Sequence, residues 1–576
     1  MSSPSPEDNT TDQRNAVAIP NEEGKWSRKL KQHFKETFGT IFVKPVGRPP
    51  NLWKQLTMLN TRQRLTFLAA FLGWLCDAYD FFCVSLSATY IAEDFGVQVS
   101  DVTSAITTTL VRMDGRVRSC KMLTLSLSLL KTIDASIRWC LAFWLTAHGY
   151  SLAADKWGRK WLLIIDIVLF SVINLASGFA PNLATFIGLR AVFGIAMGGE
   201  WGLGASLALE TLPIEARGLY SGIYQEGYAC GYLLATLVNY AVQITGSSWR
   251  ILFWAGSAFS LVGVFIRFWV PESDTFEKTK EARKVMNRSF FKDIWYMIKN
   301  HYLRVIYMVI LLAFFNFFSH GSQDLYPTFL IKQLGYTTTQ QTVTSVIYNI
   351  GAIVGGTLIG FYSSYFGRKL CIIISCIGAG AFIPLWVYGP NIQGVQAGSF
   401  MLQFFVQGGW GVIPAHINEL SPPAFRALMP GLAYQLGNLI SAASSQIQAT
   451  IGERYPMRNP DGSLLLRDGE PVPDYAYTQA IFLACVCAGL LICAIVGKEE
   501  RNKDFMANLV EDEHGNALGS DDVEVYRQEH GESSGVQTPV IEEKIKPPTS
   551  DNDIQVEKAH VEHAEHHENN HTEDKQ

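Results

Sequence analysis

Long apolar stretches recur throughout this 576-residue chain. Each is about 20 residues long, which as a helix is enough to cross a hydrocarbon core of about 30 Å. A membrane barrel would instead show short segments of alternating polarity. Hydrophobic residues make up 48% of the chain and charged residues only 17%, a balance too apolar for an ordinary soluble protein. We therefore predict an all-α integral membrane protein.

The apolar stretches fall into two groups of six, which predicts twelve transmembrane helices in two halves. The first group lies near residues 65–92, 103–154 (interrupted), 161–180, 183–209, 217–242 and 250–270. The second lies near 303–331, 343–364, 370–388, 398–418, 427–451 and 477–497. The predicted domains are an N-terminal tail (1–63), a first half (64–270), a linker (271–300), a second half (301–497) and a C-terminal tail (498–576). The polar composition of the C-terminal tail predicts disorder.

Basic residues concentrate in alternate short loops. They are Lys156, Arg159, Lys160, Arg217, Arg368, Lys369 and Arg426. Short loops rich in Lys and Arg remain on the cytoplasmic side of a membrane. We therefore predict that these loops, the linker and both termini are cytoplasmic, in a multi-pass protein of the plasma membrane.

A Gly-Arg-Lys hairpin occurs once in each half, at residues 158–160 and again at 367–369. The recurrence in register resembles the loop signature of the major facilitator superfamily. That resemblance implies duplicated six-helix halves, a central binding site and alternating access by rocking of one half against the other.

Charged and strongly polar side chains interrupt four of the predicted spans. They are Asp77 and Asp80 in the first, Arg190 and Glu200 in the fourth, His320 and Asp324 in the seventh, and Gln407, His416 and Glu419 in the tenth. A charged side chain at mid-membrane costs about 2.5 to 3.5 kcal/mol, so each one retained suggests a function. In the resembled superfamily these four helices line the central cavity.

The seventh span has the densest polar sequence. Its residues Asn316, His320, Asp324 and Thr328 are spaced by four, which predicts that they share one helical face. Pro327 would loosen the helix beside them. A His four residues before an Asp can form an imidazole–carboxylate pair that takes up and releases protons near neutral pH. The alternative is that these groups only hydrogen-bond neighbouring helices.

The full string of Asn316, Ser319, His320, Ser322, Gln323, Asp324 and Thr328 resembles the signature of the fungal lactate and pyruvate permeases. The segments 74–80, 198–202, 407–411 and 419–426 agree with that family. The resemblance implies symport of protons with small mono- or dicarboxylates. The predicted partners are therefore a small carboxylate, a proton and membrane lipid, without nucleic acid.

Site residues follow from this interpretation. The expected substrate-binding residues are Arg190, Asn316, Ser319, Gln323, Thr328, Gln407, Gln435 and Asn438. The expected proton-coupling residues are His320, Asp324, Asp77 and Asp80. Arg190 is the best fixed cation for a carboxylate, while Gln435 and Asn438 share a helical face and could equally bond another helix.

Other functions are weighed against this one. No nucleophile–base pair, phosphate loop or metal-ligand cluster is visible, so neither an enzyme nor a cofactor or metal site is predicted. A porter of sugars or other solutes and a nutrient sensor with a transporter fold remain alternatives. Lys544, Lys546 and Lys558 in the C-terminal tail are candidate sites for ubiquitin and the endocytic machinery.

The second predicted span contains an anomalous insert at residues 111–151. It includes Arg112, Asp114, Arg116, Arg118, Lys121, Lys131, Asp134 and Arg138. No lipid-facing helix tolerates this density of charge, and the resembled family has one compact apolar helix here. A translated intron or a frame error explains the segment, and a genuine cytoplasmic or reentrant insertion is the alternative.

Sequencing of the spliced transcript tests this interpretation. We expect a messenger RNA that lacks most of the codons for 111–151, because a compact apolar helix would satisfy the membrane where the charged insert does not. A continuous transcript that encodes every one of these residues would exclude the intron explanation.

Overall fold

The computed structural model describes residues 51–110, 159–197, 200–270, 290–421, 428–467, 469–501, 510–511 and 517–518. The insert at 111–151, most of both predicted tails and part of the linker lie outside these ranges. Within them the chain is helical almost throughout.

The N-terminal half begins with a short helix, α1 (Leu52–Thr57), before the first span. The remaining helices are α2 (Thr61–Phe95), α3 (Val99–Leu110), α4 (Arg159–Ser177), α5 (Leu183–Met197), α6 (Glu200–Glu210), α7 (Arg217–Ile244) and α8 (Arg250–Phe268). Helix α2 starts where Asn60 and Gln63 cap each other's backbone amides, and it ends at Gly96, whose φ of 64° is left-handed.

The C-terminal half repeats this arrangement. Its helices are α9 (Phe290–Gln323), α10 (Tyr326–Lys332), α11 (Thr338–Phe366), α12 (Arg368–Tyr388), α13 (Ile392–Leu420), α14 (Leu428–Ser441), α15 (Ser444–Arg454) and α16 (Tyr475–Val496). An antiparallel hairpin of β1 (Leu466–Arg467) and β2 (Glu470–Pro471) joins α15 to α16. Strands β3 (Val510–Glu511) and β4 (Ala517–Leu518) pair after the last helix.

The predicted spans agree with these helices, with informative differences at four places. Seven helices in the described ranges are long and apolar enough to cross a membrane unaided. The seventh and eleventh predicted spans are each divided, between α9 and α10 and between α14 and α15. The fourth is shared by α5 and α6. Helix α9 begins at Phe290, inside the predicted linker, and bends at His301.

Glycines allow the two halves to approach closely. Gly218 and Gly222 on α7 face Gly360 and Gly356 on α11. A Cβ atom placed on Gly222 would lie 2.5 Å from the carbonyl oxygen of Gly356, and one on Gly360 would lie 2.8 Å from the Cα of Gly222. Small residues spaced by four bring helix backbones into contact in membranes, and here they join the two halves.

The halves touch each other at both ends of the bundle. At the end that holds Thr61 and Leu420, the Ser206 hydroxyl lies 3.5 Å from the Asn418 carbonyl oxygen. At the opposite end, Lys332 approaches Glu93 at 3.8 Å, and α15 packs against α3. The halves are therefore in contact at both ends of the bundle in this conformation.

A buried ion pair ties α12 to α13 within the C-terminal half. The Nε and Nη2 atoms of Arg368 donate to the two carboxylate oxygens of Glu419, both at 3.0 Å. Both side chains are 0% exposed. By contrast, the side chains of the Arg250–Asp94 pair in the other half are 26% and 44% exposed.

We expect Arg368→Ala to lower the free energy of unfolding by about 3 to 5 kcal/mol, because it removes one partner of a buried pair. The matched change Arg250→Ala should cost only about 0 to 1 kcal/mol, since solvent screens a partly exposed pair. Thermal unfolding of the two purified variants in detergent compares them. Equal falls in Tm would contradict this ranking.

Candidate functional site

His320 and Asp324 form the predicted imidazole–carboxylate pair. The imidazole Nδ1 lies 3.2 Å from Asp324 Oδ2, and both side chains are buried. The pair lies where α9 ends, and the phenyl ring of Phe81 on α2 lies 5.4 Å from the imidazole. The pair therefore belongs to the C-terminal half but contacts the N-terminal half directly.

Thr328 is separated from the rest of the predicted polar face. The prediction of one continuous face from Asn316 to Thr328 is wrong, because α9 ends at Gln323 and α10 begins at Tyr326. Pro327 explains the break, since it has no amide hydrogen for the turn before it and its ring crowds the carbonyl four residues earlier. Thr328 is nevertheless buried, in the first turn of α10.

The other polar residues of α9 bond mainly to neighbouring helices. The Asn316 amide donates to the Tyr434 carbonyl on α14 at 3.5 Å. The Gln323 amide donates to Gln403 on α13 at 2.8 Å, and the Gln323 carbonyl accepts from the Tyr232 hydroxyl on α7 at 3.4 Å. The Ser319 hydroxyl bonds back to carbonyls of its own helix. These contacts fix α9 against helices of both halves.

Arg190 is buried within the N-terminal half. Its guanidinium donates to the Asn174 side chain at 2.9 Å and to the Asp80 carbonyl at 3.2 Å, and it stacks on the Phe193 ring at 3.8 Å. The Asp80 carboxylate accepts from Asn174 at 2.8 Å and from Ser260 at 3.2 Å. In this conformation the cation predicted to hold substrate is thus bonded to its own half.

Asp77 lies three residues before Asp80 on α2 and is fully buried. Neither of its carboxylate oxygens has a hydrogen-bond partner among the described residues. Its electrostatic neighbours include the carboxyl groups of Glu200, Asp166 and Asp80 and the guanidinium of Arg190. A buried carboxyl group without a hydrogen bond is costly, so Asp77 stays a candidate for the predicted proton-coupling role.

Gln407 lies at the junction of the halves. Its amide donates to the Gln225 carbonyl on α7 at 3.3 Å, and Gln225 in turn accepts from the Trp201 indole at 3.1 Å. On α14 the Asn438 amide lies 3.5 Å from the Gln435 carbonyl oxygen, so these two residues share the predicted face.

Aromatic rings fill the space between the halves near these amides. Tyr434 on α14 stacks on Trp201 of α6 with ring centroids 4.3 Å apart, and it meets Trp74 and Trp410 edge to face. Rings with a polar edge provide an apolar wall that can still donate hydrogen bonds. This arrangement suits a small solute with one polar end.

Sequence reasoning missed several buried polar groups. The sequence prediction named charged residues in only four spans. The structure shows that Asp166 on α4, Glu226 on α7 and Arg267 on α8 are also buried. Arg267 pairs with Glu200 at 3.4 Å. Asn174, which bridges Asp80 and Arg190, was missed as well. Each lies alone in an apolar stretch, so only its charge or amide in a hydrophobic span could have indicated it.

Comparison with known proteins identifies the family. The model of the sugar (and other) transporter family matches residues 65–508. A carboxylic acid transporter protein homolog of Saccharomyces cerevisiae is 30% identical over 503 residues, which cover 82% of this chain and 76% of that protein. A cis,cis-muconate transport protein of Acinetobacter baylyi is 25% identical over 68% of this chain and 87% of its own length.

Solved structures agree on the fold. The proton:xylose symporter XylE bound to 6-bromo-6-deoxy-D-glucose, a major facilitator protein, aligns with a TM-score of 0.55 at 17% identity, covering 77% of this chain and 97% of that one. The predicted twelve-helix fold is thereby confirmed. The chain belongs to the sugar (and other) transporter family of the major facilitator superfamily, and it is a multi-pass membrane transporter and not an enzyme.

Proposed function

We propose that this protein carries small mono- or dicarboxylates together with protons across the plasma membrane, with both termini in the cytoplasm. The observation that carries the proposal is the buried His320–Asp324 pair at the end of α9, in contact with Phe81 of the opposite half. A titratable pair at this position can respond to protons and to the packing of the halves at once.

The substrate class is supported by two kinds of observation. Relatives include a carboxylic acid transporter homolog and a transporter of muconate, itself a dicarboxylate. The buried guanidinium of Arg190 and several buried side-chain amides, those of Asn316, Gln323, Gln407 and Asn438, supply hydrogen-bond donors. A guanidinium matches the geometry of a carboxylate, and amides supply further donors.

Substrate would compete for bonds that the protein now makes internally. In the proposed mechanism the carboxylate draws the Arg190 guanidinium from Asn174 and the Asp80 carbonyl, while Asn316 and Gln435 donate to the substrate from the other half. The substrate would then join the halves through its own charge. Gln323, Ser319, Gln407, Asn438 and Thr328 would complete the polar lining.

Proton binding would supply the matching charge. An imidazolium beside a carboxylate is neutral overall, so protonation of the His320–Asp324 pair removes the net negative charge that would repel an anionic substrate. The loaded site is then compatible with closure in a medium of low dielectric constant. Asp77 and Asp80 on α2 are the proposed second participants, because they lie beside Arg190 in the other half.

Uptake of labelled lactate and labelled succinate tests the function. The protein is expressed in cells that lack their own carriers, and uptake is measured at about pH 5 and about pH 7.5, with and without an uncoupler. We expect uptake that is higher at the lower pH and collapses with the uncoupler. Uptake that depends on neither the pH nor the uncoupler would contradict proton coupling. Uptake of glucose but of neither acid would favour a sugar porter.

His320→Asn and Asp324→Asn should each abolish accumulation against a gradient while retaining exchange of labelled for unlabelled substrate. Asp324→Asn keeps the shape of the side chain, and His320→Asn replaces the ring with a smaller neutral amide. Each change removes a titrating group, so proton movement is lost and binding remains. Net uptake and exchange are compared in proteoliposomes. Undiminished proton-driven uptake in either variant would remove that residue from the role.

Arg190→Lys should raise the KM for lactate about tenfold or more, because an ammonium cannot replace the two-pronged donor set of a guanidinium. Arg267→Lys is the matched control, since Arg267 is equally buried but already paired with Glu200. Initial rates at several lactate concentrations separate KM from the maximal rate. A larger rise in the control would show that Arg190 does not bind the substrate.

A further inference from the structure

Glu226 is a buried carboxyl group that the proposed mechanism leaves unused. It lies on α7 with 3% of its surface exposed, beside the contact between the halves. Within the part of the chain that the structure describes, neither carboxylate oxygen has a hydrogen-bond partner. A free carboxylate in such a place is costly, so its protonation state must matter to the packing around it.

Glu226 lies on the same face of α7 as the glycines that contact the other half. Gly218, Gly222 and Glu226 are spaced by four along α7, so they lie on one face. The two glycines contact α11. The Glu226 carboxyl group contacts the same helix, because a Cβ atom placed on Gly356 would collide with Oε1 of Glu226. The carboxyl group therefore rests directly on the backbone of the other half.

Among the described residues, backbone carbonyl groups lie near the Glu226 carboxyl, and no cation is paired with it. A Cβ atom placed on Gly356 would also lie 3.2 Å from the Gln407 carbonyl oxygen, and the Gly356 carbonyl lies between Gly222 and Gly411. Carbonyl oxygens repel a carboxylate but accept a hydrogen bond from a protonated carboxyl group. The closed contact is therefore compatible with the neutral acid.

Ionisable groups on the described helices around α7 do not supply a counter-charge. The acids and neutral groups among them include Asp77 and Asp80 on α2, Glu200 and Glu210 on α6, Tyr348 on α11, and His416 and Glu419 on α13, with Cys230 on α7 itself, and the cations are Arg62 and Arg64 on α2, Arg217 on α7, and Arg250 and Arg267 on α8. None of them is hydrogen-bonded or ion-paired to Glu226 in the described structure. Of the cations, Arg267 is paired with Glu200 and Arg250 with Asp94.

We propose that Glu226 is a further proton-binding site of the transporter, occupied while α7 and α11 are in contact and emptied when the halves separate. The proton moves between water and the carboxylate each time the contact opens, and no other bond changes. This inference rests on the proposed function, because it adds a proton site to the same transport cycle. It differs from the His320–Asp324 pair in acting on the closure of the halves and not on the charge beside the substrate.

Glu226→Gln tests the proposal, since glutamine has the same shape as the protonated acid but cannot release a proton. In proteoliposomes loaded with lactate, we expect exchange of labelled lactate within about twofold of wild type. The number of protons moved with each lactate, measured by a pH indicator inside the vesicles, should fall by about one. An unchanged proton count with active exchange would overturn the proposal.

Glu470→Gln is the matched control, because it makes the same chemical change at an exposed carboxylate on the β1–β2 hairpin. It should leave both exchange and the proton count unaltered. If the wild-type protein itself moves no protons, the proposed function fails before Glu226 is considered. If the wild type is coupled and Glu226→Gln is coupled equally, only the present inference fails.

A measurement on the unaltered protein covers the case in which the variant does not fold. Dicyclohexylcarbodiimide is apolar and reacts with protonated carboxyl groups in apolar surroundings, so mass spectrometry can follow its attachment to Glu226. We expect attachment to Glu226 at about pH 7, where an exposed carboxylate such as Glu470 is ionised and stays unlabelled. No attachment at Glu226 across about pH 5 to pH 9, with other buried carboxyls labelled, would overturn the proposal.

Discussion

The backbone contact between α7 and α11 sets the geometry on which the rest of the bundle depends. Because Gly222 and Gly356 have no side chains, the two helices meet at a separation where a single methyl group would collide. Close to this contact, the Ser221 hydroxyl on α7 donates to the Gly411 carbonyl at 2.8 Å and accepts from the Ala415 amide at 3.0 Å, both on α13. The two halves are thus joined by backbone atoms as well as side chains.

Because the halves are in close contact, the charged groups buried between their helices have no access to water. A hydrocarbon environment offers no water to an exposed carboxylate, so each charged group must be paired, protonated or solvated by opening the structure. Arg368 with Glu419 and Arg267 with Glu200 are paired. Asp77 and Glu226 have no hydrogen-bond partner among the described residues, so the remaining options are protonation and opening. In the proposed transport cycle, those two options together would couple a proton to a conformational change.

Much of the fold could be predicted from the sequence, because hydrophobic length and loop charge are local properties. Most of the spans in the described residues were placed within a few residues, although α9 begins 13 residues before the predicted 303, and the His320–Asp324 pair followed from helical spacing alone. The break before Pro327 was anticipated only as a loosening, since sequence does not show whether a proline bends a helix or ends it. The sequence around Gly356 did not indicate that this residue contacts α7, because that contact joins residues far apart in the chain.

The site itself was harder to predict, because its contacts also join residues that are far apart in the chain. Arg190 was recognised as a buried cation, but its bonds to Asn174 and Asp80 depend on how α2, α4 and α5 pack. Those bonds suggest why a transporter can hold an arginine in a membrane between cycles: the protein supplies substitute acceptors while substrate is absent. In the proposed mechanism, a carboxylate substrate would displace them and exchange one set of hydrogen bonds for another. The cation would then keep hydrogen-bond acceptors throughout, and binding would be decided by the difference between the two sets and not by the large cost of an unpaired charge.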